Sequence, residues 1–84
     1  MIVYTYLLRS LKDQSFYVGI TEDVNKRLNE HNCGKLKTTS IKKPWQIVFY
    51  REHNDYISAR KHEKWLKKKN RIYKEKLAQL APPD

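Results

Sequence analysis

Apolar and polar positions change period several times along this chain, and each change marks an element. Residues 2–9, IVYTYLLR, are rich in β-branched and aromatic types and read as a strand. Ile2, Tyr4, Tyr6 and Leu8 share one face, and Val3, Thr5 and Leu7 the other. Both faces are largely apolar, which predicts a central strand. The polar run Ser10–Ser15 predicts a hairpin loop, although it lacks the usual glycine. The chain then returns through Phe16–Ile20 as an antiparallel partner, which brings Tyr17 near Tyr6. Gly19 interrupts this second strand. Its spacing fits two readings equally: a bend before the next element, or room for a substrate backbone beside Tyr17.

The period then switches from two to 3.6. Thr21 and Asp23 are good caps, and a helix is predicted from about Asp23 to Asn32 with Val24 and Leu28 on its buried side. Cys33-Gly34 ends it, Gly34 standing at the usual left-handed position. Arg27 and His31 are four apart and share one flank of that helix. Residues 35–44 form a basic, hydroxyl-rich loop without periodicity. Trp45–Tyr50 predicts a third strand, closed by residues 51–54. Asp55 caps a second helix whose Ala59, Glu63 and Leu66 fall on one stripe. Helical character continues past a break near Asn70 to Leu80. The expected organisation is one domain over residues 1–80, with 81–84 as a frayed tail.

Size limits what such a domain can do. A chain of 84 residues buries only about 60% of its unfolded surface, so a thin core and a shallow groove are expected. A groove suits a polymeric substrate better than a small metabolite. Charge narrows the field further. Eighteen Lys and Arg against nine Asp and Glu leave a net charge of +9, which points to a polyanion, most often nucleic acid. Half of those cations lie in residues 60–76. The single cysteine, Cys33, rules out an internal disulfide and a thiolate zinc cage. No apolar run approaches the roughly 20 residues that span a bilayer, and no signal peptide precedes the first strand, so the chain reads as cytosolic.

Hydrolysis of a phosphodiester needs an activated water, positive charge on the non-bridging oxygens and help for the departing oxyanion. Arg27 suits the second task, because a guanidinium fork matches two phosphate oxygens and stays charged. Glu63 sits among apolar neighbours, where an ionised carboxylate needs a cation, a hydrogen bond or an open cleft. It either pairs with a lysine or holds a hard divalent ion that keeps most of its waters. A tyrosine base is costly: with a reference pKa near 10, the phenolate costs about 4 kcal/mol at neutral pH unless cations lower it. His31 offers another way to accept or orient a proton. Around this set, Gly19, Lys26, Lys35, Lys37, Thr38, Lys42, Lys43 and Lys67 are candidates for sequence-blind contacts to nucleic acid. His53 and His62 read as surface residues. There is no Gly-rich phosphate loop, no HExxH and no cluster of carboxylates for two metals.

Taken together, Tyr4-Thr5-Tyr6, then Tyr17-Val18-Gly19, Arg27, His31 and a helix-borne Glu63 resemble the GIY-YIG nuclease superfamily. The likeness is closest to its small single-domain members, similar to the nuclease part of structure-specific endonucleases. It covers about residues 2–70, and YVGIT, KRLNEHN, the Lys/Thr loop before Pro-Trp, and SARKHEKWLK arrive in the family's order. The resemblance implies an α+β fold, a three-stranded antiparallel sheet flanked by helices. It also implies one Mg²⁺ or Mn²⁺ per site, held by Glu63. Tyr6 and Tyr17 correspond to the tyrosines of the two half-motifs, one as general base and the other orienting water or phosphate. Arg27 would bind the scissile phosphate, and His31 would assist proton transfer. Two departures stand out. The first half-motif reads YTY with its tyrosine kept, and Asn70 matches a late family asparagine by position only.

The leading expectation is a metal-dependent nuclease that cuts DNA, with RNA left open as a further substrate, with structure preference or little sequence preference, in repair or recombination. A non-catalytic nucleic-acid-binding module with the same fold is the first alternative. A basic protein-interaction domain is the second.

Overall fold

The computed structural model describes residues 1–80; the tail expected at 81–84 lies outside them. Three strands, β1 (Val3–Ser10), β2 (Phe16–Thr21) and β3 (Trp45–His53), form an antiparallel sheet in the order β2-β1-β3. The central place of β1 follows from its two apolar faces, because only a strand covered on both sides can bury both sets. The hairpin without glycine closes by placing Gln14 at φ 65°, the one non-glycine residue with positive φ among those described.

Four helices complete the fold: α1 (Val24–Asn32), α2 (Lys37–Ser40), α3 (Tyr56–Lys67) and α4 (Arg71–Leu80). Asp23 caps α1 through the Lys26 amide, and Asp55 caps α3 through the Ser58 amide. One core lies where Leu7, Val18, Val48 and Leu66 meet, joined by Tyr73, Leu77 and Ala78 from α4. The other joins Tyr6, Leu8 and Trp45 to Leu28 of α1 and to Tyr17 and Ile47. The sheet is therefore a septum between two thin apolar layers, each built from alternate residues of the same strands.

Four local expectations change. β3 runs on to His53, because Glu52 and His53 pair with Tyr4 and Val3 of β1 although their side chains are polar. The loop before β3 contains the one-turn helix α2, a Lys-Thr-Thr-Ser stretch whose intrinsic preference is not helical. Asn70 caps α4, its Oδ1 accepting from the Tyr73 amide at 2.9 Å, which gives that asparagine a structural role. His53 and His62 are half-buried rather than exposed. The His53 Nε2 lies 2.9 Å from Thr5 Oγ1, and the His62 ring stacks on Trp65.

Candidate active site

Strand register sets the first piece. Tyr6 pairs with Gly19 across β1 and β2, and Tyr17 pairs with Leu8, two residues further along the same face. The Tyr6 ring lies across the backbone of Gly19. A Cβ at that glycine would stand 2.5 Å from the Tyr6 hydroxyl and 2.7 Å from Cζ. The space left by the missing side chain, one reading of which was room for a substrate backbone, is thus filled by the phenol. Tyr17 sits beside it, ring centroids 6.3 Å apart.

Helix α1 supplies the second piece. Its Val24–Leu28 stripe faces the sheet, which turns the Arg27–His31 flank toward the two tyrosines. His31 is fully buried, its ring 5.0 Å from that of Tyr17. Its Nε2 lies 3.0 Å from the Tyr6 hydroxyl, and its Nδ1 lies 2.8 Å from Thr39 Oγ1. Thr39 is also buried, and its carbonyl accepts from the indole of Trp45. Sequence reasoning selected Thr38, which is exposed, and missed its neighbour. The polar loop has no period, so nothing in it separates the inward hydroxyl from the outward one.

The electrostatics follow from burial. Loss of water pushes the Tyr6 phenol up to about 12, with Arg27 pulling the other way. Burial, helped by the charge of Arg27, lowers His31 to about 4, so its ring is neutral at pH 7. Arg27 faces the Tyr6 oxygen, which together with Glu30 holds the guanidinium pKa above its ordinary value. Its Nη1 donates to Glu30 at 3.0 Å. Its Nε is buried and has no hydrogen-bond partner. An unpaired buried donor on a cation is costly, and an incoming anion would relieve it.

Glu63 comes from α3. Its side chain is 14% exposed, Oε2 lies 3.4 Å from the Lys67 ammonium one turn on, and its charge bears on Tyr6. Tyr6, Tyr17, Arg27 and His31 are thus in one cluster, with Glu63 within electrostatic reach. Tyr56, two turns before Glu63, donates to Glu22 at 2.7 Å and ties α3 to the turn leading into α1. Among the described residues, no group of three or more His, Cys, Asp or Glu side chains could hold a metal. A magnesium-like ion anchored by one carboxylate and otherwise by water fits Glu63.

The candidate phosphate contacts Lys26, Lys35, Lys37, Thr38, Lys42, Lys43 and Lys67 are all exposed. Lys42 pairs with Asp13 at 3.7 Å. A cavity of about 660 Å³ lies on the other flank of α1, walled by Tyr4, Leu28, Trp45, Ile47 and Tyr50, and is lined by none of Tyr6, Tyr17, Arg27, His31 and Glu63. No helix among the described residues is long and apolar enough to cross a membrane.

Comparison with known proteins gives a consistent set of likenesses. Residues 2–76 match the family described as the GIY-YIG catalytic domain. A UPF0213 protein of Pectobacterium carotovorum is 38% identical over 80 residues, which is 94% of this chain and 80% of that protein. A UPF0213 protein of Staphylococcus saprophyticus is 36% identical, covering 88% of this chain and 90% of its own length. Among solved structures, the solution NMR structure of a UPF0213 protein from Bacillus halodurans is similar, with a TM-score of 0.60 and 34% identity. That likeness covers 98% of this chain and 87% of the other.

Proposed function

The chain belongs to the GIY-YIG family, a nuclease family, and on that premise we propose that it is a divalent-metal-dependent endonuclease acting on DNA. The observation that carries this reading is the Arg27 guanidinium, with its buried and unpartnered Nε, set against a Tyr6–His31 pair and within reach of the Glu63 charge. A phosphate oxygen is the natural acceptor for that orphan donor. Arg27 would hold the scissile phosphate and balance the charge that builds on it. Tyr6 and His31 would handle the proton of the attacking water, with Tyr17 orienting water or phosphate beside them.

Glu63 would hold Mg²⁺ or Mn²⁺, which would stabilise the departing oxyanion. With a phenol at about 12, Tyr6 is protonated at pH 7 before substrate arrives. It becomes a base only when positive charge gathers around its oxygen. The lysines on the loop and helices contact phosphates without reading bases, which supports little sequence preference.

Supercoiled plasmid offered with Mg²⁺ or Mn²⁺ tests the reading. Nicking by the wild type, abolished in Glu63→Gln and reduced at least a hundredfold in Tyr6→Phe, is expected. A Glu63→Gln protein that cuts as well as the wild type would sink it. The pairing of Glu63 with Lys67 favours a second reading, a binding module whose carboxylate is neutralised by its own lysine. Under that reading the plasmid stays intact with every metal while its migration is retarded.

A further inference from the structure

Five hydrogen-bonding groups stand in a row from the cluster into the interior, and their chemistry fixes the direction in which the protons point. At one end is Arg27, which can only donate, facing the Tyr6 oxygen. Next come Tyr6 Oη to His31 Nε2 at 3.0 Å and His31 Nδ1 to Thr39 Oγ1 at 2.8 Å. At the other end, Thr39 Oγ1 lies 3.4 Å from the Leu36 carbonyl, which can only accept. One arrangement satisfies every contact. Tyr6 donates to Nε2, Nδ1–H donates to Thr39, and Thr39 donates to Leu36. The reverse arrangement places no hydrogen between Thr39 and Leu36, and leaves the buried Tyr6 proton without its acceptor.

We infer that Thr39 is a positioning residue that holds His31 in the Nδ1–H tautomer, so that the Nε2 lone pair is kept for the Tyr6 hydroxyl. This rests on the nuclease reading for its consequence. With Nε2 accepting the Tyr6 hydrogen, the lone pairs of the phenol oxygen stay turned to Arg27 and to the approaching water, and His31 stays neutral. With the other tautomer Nε2–H donates to that oxygen and occupies a lone pair. Thr39 itself touches no substrate. It arrives through α2, whose placement is fixed by the Trp45 indole donating to the Thr39 carbonyl at 2.9 Å.

Two-bond ¹H–¹⁵N correlation spectra of the full-length, ¹⁵N-labelled protein report which imidazole nitrogen carries the proton. In the wild type above pH 6 the bare nitrogen is expected to be Nε2. Thr39→Val, nearly the same shape without the hydroxyl, should shift His31 toward the Nε2–H form. It should also lower kcat on plasmid by about tenfold or more, with KM within about twofold. Thr39→Ser restores the hydroxyl and should restore both the tautomer and cleavage to within about threefold. A wild-type His31 protonated on Nε2 overturns the inference, and so does Thr39→Val cleaving like the wild type. Should Thr39→Val not fold, the wild-type tautomer and the Thr39→Ser protein decide. A wild type that cuts nothing, yet shows bare Nε2 and the shift in Thr39→Val, removes the nuclease reading and leaves the hydrogen-bond assignment standing.

Discussion

At the residue scale, burial decides the chemistry of the cluster. His31 is a neutral imidazole because the interior disfavours its charged form, lowering it from 6.5 to about 4. The unfolded chain therefore binds more protons than the folded one as pH falls below 6.5. The stability His31 contributes is complete above pH 6.5 and is lost as pH falls through about 4. Burial lowers His53 and His62 in the same sense. Proton NMR of the His31 ring should find it still neutral at pH 5, and a midpoint near 6.5 would contradict its burial. Gly19 makes a second residue-scale prediction. Its replacement by Ala puts a methyl 2.5 Å from the Tyr6 hydroxyl. Tyr6 must then swing away from His31, at a cost of about 1–3 kcal/mol. The melting temperature should fall by about 4–8 °C for each kcal/mol. Unchanged melting together with unchanged cleavage would show that the ring does not need that space.

At the element scale, the site is assembled from five elements that are each marginal alone. Register between β1 and β2 places the tyrosines, α1 carries Arg27 and His31, α2 brings Thr39, and α3 presents Glu63. Capping holds these segments in place. The Asn70 side chain starts α4, which closes the core around Leu66 and is tied to the hairpin by Arg71 donating to the Gln14 carbonyl at 2.7 Å. Asn70→Ala should cost about 1 kcal/mol through the lost cap. Cleavage per folded molecule should be unaltered, since α4 carries none of the clustered side chains. Loss of cleavage without loss of stability in that variant would place Asn70 at the chemistry instead.

At the scale of the whole molecule, charge governs encounter and chemistry governs the outcome. A net charge of +9 on 84 residues attracts a polyanion, and the exposed lysines of the α1–β3 region and α3 would settle it by phosphate contacts. Affinity for duplex DNA should fall linearly in log–log form as salt rises, by about 0.9 for each phosphate contacted. Replacing Lys35 and Lys37 with Ala should reduce that slope by about 2, leaving any sequence preference unchanged. A salt-independent affinity would mean that binding is not led by phosphate contacts.

The β-branched and aromatic runs at 2–9, 16–20 and 45–50, the change to helical spacing after Asp23 and the stripe through Ala59 and Leu66 were enough to specify the strands, the main helices and the central place of β1. These signals are local, because each side chain's face follows from its neighbours' spacing. The motif order likewise pointed to Tyr6, Tyr17, Arg27, His31 and Glu63 as a set. What the chain alone left open was every relation between segments distant in sequence. Thr39 meets His31, Tyr6 occupies the space over Gly19, and polar Glu52 and His53 extend a strand, because packing and hydrogen-bond partners supplied by other elements outweigh weak local preference. Such contacts depend on which hydroxyl points inward and which ring fills a gap, and only the folded chain sets those.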